Sequence, residues 1–189
     1  KQEAKLRVSR EDATRRMLDE KRHFDEVDAR ARKGFPDAEF QLGNLYRDGI
    51  GVTRDMVQAI GCWGAAALHG HVRAQTTLGD YYAAGRGVEK DLVMAAKMYR
   101  MASQQGDLVG LQKMAECYLN GSGVIKDEVE AFALLTLIAI RKGEQRTNFL
   151  KRVLGQGSPL EALESRLTGE QRAAGLERAK ELQREIETY

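Results

Sequence analysis

Proline, aromatic residues and an excess of either charge are all scarce in this chain of 189 residues. Two prolines and 6% aromatic content argue against a sheet-rich or proline-broken fold, while abundant Ala, Leu, Glu, Arg and Lys suit helices. With 30 basic residues against 28 acidic ones the net charge is +2, too balanced to predict a nucleic-acid or anionic-membrane partner. The longest apolar run, Ala131 to Ile140, falls far short of the roughly 20 residues a bilayer requires. It is expected as a buried helix, and no membrane insertion is expected. The chain opens at Lys1 without methionine, which leaves open a trimmed targeting segment with a periplasmic or secreted setting, or a cytoplasmic protein cut at a boundary.

What is present is a repeat. The pattern Leu42-Gly43-x-x-Tyr46-x-x-Gly49-x-Gly51-Val52-x-x-Asp55-x-x-x-Ala59 returns 36 residues later from Leu78 to Ala95, and again from Met114 to Ala131. A fixed period of this size predicts a stack of like units. Within the first copy, Ala38, Leu42, Leu45 and Tyr46 form one helical stripe and Ala59, Trp63, Ala66 and Ala67 another. Between them the GxGV segments (Gly49 to Val52, Gly85 to Val88, Gly121 to Val124) supply glycine where the first helix must close, and the valine is expected to plug the gap between helices. Gly51, Gly87 and Gly123 should tolerate side chains unequally, according to which of them adopt positive φ. Asp55, Asp91 and Asp127 stand where a carboxylate would cap the second helix, and Gly70 and Gly106 follow its end. Small residues at Gly43, Gly79 and Ala115 are expected to face Ala66, Ala102 and Ile138. The predicted unit is a helix hairpin.

The flanks read as helical too. Ser9-Arg10-Glu11-Asp12 has the form of a capping box, and Met17, Phe24, Val27 and Ala31 make an apolar stripe running toward Gly34. Ser158-Pro159-Leu160-Glu161 combines a cap, a first-turn proline and a glutamate, so a short helix should follow. Thr168 is expected to cap a last helix with Leu176, Ala179, Leu182 and Ile186 on its apolar face. The organisation expected is a charged capping helix or degenerate repeat over 1–34, three repeats over 35–145 (about 37–72, 73–108 and 109–145), and capping helices over 146–189.

These residues resemble the Sel-one-like repeat family of tetratricopeptide-like proteins, whose pattern is AxxxLGxxYxxGxGVxxDxxxAxxWxxxAAxxG. Ala38 to Gly70 and Ala74 to Gly106 match it nearly throughout, while the third copy, from Gly110, has Met114 for leucine, Leu135 for the aromatic, and Lys142-Gly143 displacing the closing glycine. Leu167-Thr168-Gly169-Glu170-Gln171 is similar to the opening of the charged helix that follows the last repeat in bacterial members. The resemblance implies an all-α protein, a right-handed α/α superhelix or solenoid of hairpins flanked by capping helices. It also implies protein binding on the concave face.

Catalytic and ligand chemistry find little support. His69 and His71 flank Gly70 with no third metal ligand in view and are expected as exposed loop residues; His23 lies on a charged helix. No GxSxG, HExxH, SxxK or CxxC occurs, and the GxGV glycines lack the strand and third glycine of a dinucleotide site or the GK[ST] of a phosphate loop. Asn120-Gly121-Ser122 fits a glycosylation sequon but is the repeat's own turn. Cys62 and Cys117 fall in helices of nonadjacent repeats, so they are expected as packed free thiols. No catalytic residue, metal or cofactor is expected.

The first helix of each pair lines the concave side in tetratricopeptide-like folds. By position, the residues implied there are Asp37, Phe40, Asn44, Arg47 and Asp48; Arg73, Thr76, Asp80, Ala83 and Ala84; and Gln112, Glu116, Leu119 and Asn120. The function expected is a non-catalytic interaction module, an adaptor for a protein or peptide of mixed polarity, itself a monomer or weak homodimer. The alternatives are self-association through the terminal helices and, by analogy with cysteine-rich relatives that carry a cysteine pair in every repeat, a cell-wall or β-lactam-related hydrolase. That cysteine signature is absent here.

Overall fold

The computed structural model of the chain describes residues 2–141, 163 and 165–188, with side chains from residue 11 onward. The Ser158 to Glu161 cap, its short helix and Lys142-Gly143 lie outside them. Among the described residues there are eight helices and no strand: α1 Gln2–Ala31, α2 Pro36–Asp48, α3 Met56–Leu68, α4 Val72–Ala84, α5 Leu92–Gln104, α6 Leu108–Asn120, α7 Glu128–Arg141 and α8 Gly169–Glu187. None is long and apolar enough to cross a membrane.

The hairpins α2–α3, α4–α5 and α6–α7 are closed by one backbone device used three times. Gly49 and Gly121 end α2 and α6 in the left-handed region, donating their N–H groups to the Leu45 and Cys117 carbonyls. A few residues on, the N–H of each aspartate cap returns to the tyrosine carbonyl of the preceding helix: Asp55 to Tyr46 at 2.9 Å, Asp91 to Tyr82 at 3.0 Å, Asp127 to Tyr118 at 3.0 Å. The cap side chain then accepts from the helix it opens, Asp55 from Val57 and Gln58, Asp91 from Met94, Asp127 from Val129 and Glu130. Each such cap is worth about 1 kcal/mol. The aspartates therefore serve both ends of the turn.

The second glycine of the turn has a different task. Gly51, Gly87 and Gly123 all have positive φ, +69°, +71° and +72°, so their tolerance is ranked by surroundings rather than by conformation. A Cβ at Gly51 would land on the Glu20 carbonyl and Phe24, and one at Gly123 on the Leu92 carbonyl. The turn is a docking surface for a neighbouring helix.

The chain divides into two compact units, Lys1–Leu78 and Gly79–Tyr189. In the first, Phe24, Val27, Ala31, Ala38, Leu42 and Leu45 form a core joined by Tyr46, Val52 and Cys62, and Phe24 meets the Tyr46 ring edge-on at 5.4 Å. Trp63 is fully buried, and Gly43 lies against its indole and the Ala59 carbonyl. The close approach expected at Gly43 is thus made to Trp63, not Ala66; likewise Gly79 in the second unit faces the Tyr99 ring, not Ala102. The absent side chain makes room for a ring. α1 also departs from expectation. Ser9 lies inside the helix rather than at its cap, and Met17 is exposed together with every residue from 11 to 23, so burial begins only at Phe24.

In the second unit, Tyr99, Leu111, Met114, Phe132, Leu135, Leu137 and Ile138 centre a larger core, with Val124 packed against it. Residues Ala131 to Ala139 are all buried, which explains the apolar run: α7 is covered by α6 on one side and α8 on another. Thr168 caps α8 reciprocally with Gln171, at 3.2 and 2.9 Å. Gly175 rests on the Phe132 ring and Ala179 is fully buried, while Leu176 is exposed and Leu182 and Ile186 pack at the core's edge. Arg178 reaches from α8 to Glu130 of α7 at 3.3 Å and to Glu185 at 2.9 Å.

Candidate functional site

None of the fourteen residues assigned to the binding face is buried, although each helix that carries them is buried on its other side. The two units present them separately.

In the first unit Asp37, Asp48 and Arg73 are exposed and Phe40, Asn44, Arg47 and Thr76 are half-buried. The structure gathers Asp37, Phe40 and Arg73 around a residue the sequence left in a loop. His71 stacks on Phe40 with centroids 4.5 Å apart, and Arg73 lies over the other partner's ring at 5.6 Å from the Phe40 centroid. The His71 Nδ1 accepts the Ala74 N–H at 3.0 Å, which leaves Nε2 to face Asp37 at 3.3 Å. His71 is therefore packed, not an exposed loop residue. His69 remains half exposed but holds Glu39, a buried carboxylate, at 2.8 Å. Arg47 forks onto Asp48 at 2.8 and 2.7 Å and covers the Trp63 ring at 5.8 Å, while the Thr76 hydroxyl bonds back to its own helix. Among the described residues no cluster of His, Cys, Asp and Glu has the makings of a metal site.

In the second unit Asp80, Ala84 and Asn120 are exposed, and Ala83, Gln112, Glu116 and Leu119 are half-buried, Leu119 partly on the core. Of these, Ala83, Glu116 and Asn120 line a hollow of about 190 Å³, whereas Asp80, Ala84, Gln112 and Leu119 do not. Ala83, Leu92, Ala95, Tyr99 and Cys117 are the apolar part of its lining, and Lys113, Glu116, Asn120 and Ser122 the polar part. Small-molecule sites run to about 300–1,000 Å³, so this hollow is smaller than that class. The Tyr99 hydroxyl donates to Asp80 at 2.8 Å, and Lys113 Nζ lies 3.4 Å from the same carboxylate oxygen. Gln112 donates to Glu116 at 3.1 Å. Burial, then the hydrogen bond to Asp80, raises the Tyr99 hydroxyl well above its ordinary range, and burial with the Glu116 charge pushes the Cys117 thiol up.

Lys113 and Tyr99 were missed by position-matching. Tyr99 occupies the same register as Trp63 and reads as core, and Lys113 falls between two groove positions with nothing in the sequence to say that its amine turns toward Asp80. Cys62 and Cys117 are both free.

The Sel1 repeat family pattern matches residues 36–71, 72–107 and 109–141, more than half of the chain. Among solved structures, a Sel1 repeat protein from Oxalobacter formigenes is similar at 25% identity with a TM-score of 0.64, over 85% of this chain and 64% of that one. A protective antigen of uropathogenic Escherichia coli strains, c5321, which displays an SLR fold, is similar at 26% identity with a TM-score of 0.63, over 89% of this chain and 42% of that one. The chain thus spans less than two thirds of the length of either. No curated protein matches it in sequence. Three consecutive pattern matches, the recurring tyrosine-to-aspartate turn and the shared fold make this chain a member of the Sel1 repeat family.

Proposed function

We propose that this protein is a non-catalytic adaptor that binds an extended segment of a partner protein along the first helices of its repeats. Sel1 repeat chains are generally protein-interaction scaffolds. The observation that carries the finer reading is the small hollow between α4, α5 and α6, whose lining mixes apolar Ala83, Leu92, Ala95 and Tyr99 with polar Lys113, Glu116 and Asn120. An apolar anchor with hydrogen-bonding backbone on either side is the ligand such a surface accommodates. The hydrolase alternative draws support from no observation, since it rests on cysteine-rich relatives and both cysteines here are free thiols.

Capture from lysate of the source cells tests this when the parent is compared with Glu116→Lys and Ala83→Gln, one reversing a charge in the lining of the hollow and one filling it. Lys97→Glu, exposed on the second helix α5, is the control. A specific partner should be retained by the parent and the control and lost, by at least tenfold, with both groove variants. Equal recovery with all four chains, at unchanged melting temperatures, would show that the partner binds elsewhere.

A further inference from the structure

α8 has 19 residues where the first helix of each repeat has 13, and its C-terminal end reaches the turn between α5 and α6, where a Cβ at Gly106 would meet Ile186. Packing under that end is incomplete. A cavity of about 310 Å³ lies between α8 and helices α5, α6 and α7, at the lower end of the about 300–1,000 Å³ of small-molecule sites. Leu111, Leu134, Leu182 and Ile186 are the apolar part of its lining, and Ser103, Gln104, Glu185 and Thr188 the polar part. It shares no residue with the hollow that holds Ala83 and Glu116.

The polar part consists mainly of acceptors. A hydroxyl has one proton to give and two lone pairs to offer. The Ser103 hydroxyl, on a residue only 7% exposed, donates to the Arg100 carbonyl at 2.8 Å, and the Thr188 hydroxyl donates to the Glu185 carbonyl at 2.8 Å. Both protons are spent on helix backbone, so each hydroxyl has only lone pairs left. Glu185 adds a carboxylate, which accepts and cannot donate. It is also the only charged side chain in the described lining. Arg178 bonds Glu185 at 2.9 Å, but the same guanidinium is shared with Glu130 at 3.3 Å and Glu181 at 3.2 Å, so the carboxylate is not cancelled by its partner. Of the other cations in this region, Arg100 lines an adjoining hollow and Arg141 is spent on the Gly106 carbonyl; neither lines the cavity.

We propose that this cavity binds a small organic ammonium, its apolar body against Leu111, Leu134, Leu182 and Ile186 and its charged head donating to Glu185 and the Ser103 and Thr188 hydroxyls. An ammonium group has three donors and no acceptor, the complement of this lining. A carboxylate of the same size would find donors on Gln104 alone and would face Glu185. Because the Glu185 side chain is 60% exposed, the attraction is solvent-screened and the binding is weak.

The probe is n-hexylammonium chloride, with n-hexanol and sodium hexanoate as its neutral and anionic counterparts, each titrated at neutral pH and constant ionic strength into the isotope-labelled full chain. Hexylammonium should give saturable amide shifts at Ser103, Gln104, Leu182 and Ile186, with an affinity about fivefold above that of hexanol, the scale of a screened ion pair. Hexanoate should bind more weakly than either. Glu185→Gln should bring hexylammonium down to the level of hexanol, while Glu187→Gln, which removes the same charge outside the lining, should leave both unchanged. Leu182→Phe, which fills the apolar part, should weaken both. Thr188→Val, at an exposed position and without touching Arg178, should weaken hexylammonium and spare hexanol, so the inference stays testable if Glu185→Gln loosens α8; the melting temperature of each variant reads that directly. Shifts that do not saturate or that lie elsewhere, hexylammonium no tighter than hexanol, or equal losses with Glu185→Gln and Glu187→Gln would overturn it. The adaptor reading stands or falls separately.

Discussion

Tyr99 and Asp80 form a hydrogen bond of 2.8 Å that ties the fully packed face of α5 to the open face of α4. Tyr99 is 4% exposed while Asp80 faces solvent, so one end of this contact is structural and the other belongs to the candidate binding surface. Charge reversal at Asp80 is accordingly a poor probe of binding. It would remove the acceptor of a buried hydroxyl and add a cation beside Lys113, and any lost binding would report lost packing. Asp80→Asn keeps an acceptor and removes the charge. We expect Tyr99→Phe to cost about 1 kcal/mol and Asp80→Asn less, as read by urea denaturation; equal and negligible effects would show the contact carries no stability.

The same hydroxyl makes stability depend on alkaline pH. Burial, with Asp80 adding to it, raises Tyr99 above its ordinary value of 10.0 in the folded chain. The unfolded chain therefore releases this proton first, so the contribution is fully present below about pH 10 and is lost as pH rises beyond it. The melting temperature of the parent should fall more steeply between pH 9 and 11 than that of Tyr99→Phe. Parallel curves would contradict this.

The paired glycines of the third turn separate conformation from contact. Gly121 and Gly123 have φ of +66° and +72°, yet a Cβ at Gly121 meets Lys126 and the Val124 carbonyl at ordinary contact distances of 3.5 to 3.7 Å while one at Gly123 strikes the Leu92 backbone. Gly121→Ala should cost about 1 kcal/mol for the left-handed conformation alone, and Gly123→Ala about 3 kcal/mol. At about 2–4 °C per kcal/mol for a chain of this size, thermal melts resolve the two. Equal shifts would mean that the turn does not dock on α5.

Burial pushes the Cys62 thiol from 9.0 to about 11. Alkylation of the folded chain, followed by mass spectrometry of the Cys62 peptide, should stay slow at pH 8 to 9 and climb toward pH 11. After denaturation without reductant, two free thiols should be counted. A fast reaction at pH 8 would show the thiol more open than its packing implies.

α8 is held to α7 by a small-residue contact more than by its charges. Ala179→Asp puts a carboxylate at a fully buried position and should cost about 3 kcal/mol or more, whereas Arg178→Ala, losing the half-exposed pairs to Glu130 and Glu185, should cost about 1 kcal/mol. Hydrogen exchange in α8 reads both, and the reverse order would contradict the account. Glu130 is unsuitable as an outer-face control for the same reason, since it is held at 3.3 Å by Arg178.

What the sequence made legible is what repeats or is local. The hairpin period, the aspartate caps, the left-handed glycines and the Thr168 cap are set by residues a few positions apart, and copies at the same register reinforce each one. Contacts made across helices were less readable. Gly43 and Gly79 were matched to alanines because spacing alone cannot tell which turn of the facing helix they meet; the rings of Trp63 and Tyr99 fill the space instead. Met17 fits the apolar stripe of α1 by periodicity, but periodicity does not show where the helix leaves the body that covers it. His71 looked exposed because it borders a glycine turn, and its stacking on Phe40 depends on how α2 meets the start of α4. In the hollow of the second unit, Ala83, Glu116 and Asn120 were placed by pattern, whereas Lys113 joined them only through a side chain that turns toward Asp80.

The binding claim is tested most directly by placing a photo-crosslinking phenylalanine analogue at position 116, in the lining of the hollow, and at position 97 on the second helix, each in an otherwise unaltered chain in the source cells. The account predicts one discrete crosslinked partner from position 116, competed away by excess parent chain, and none from position 97. The same product from both positions, or from position 97 alone, would contradict it.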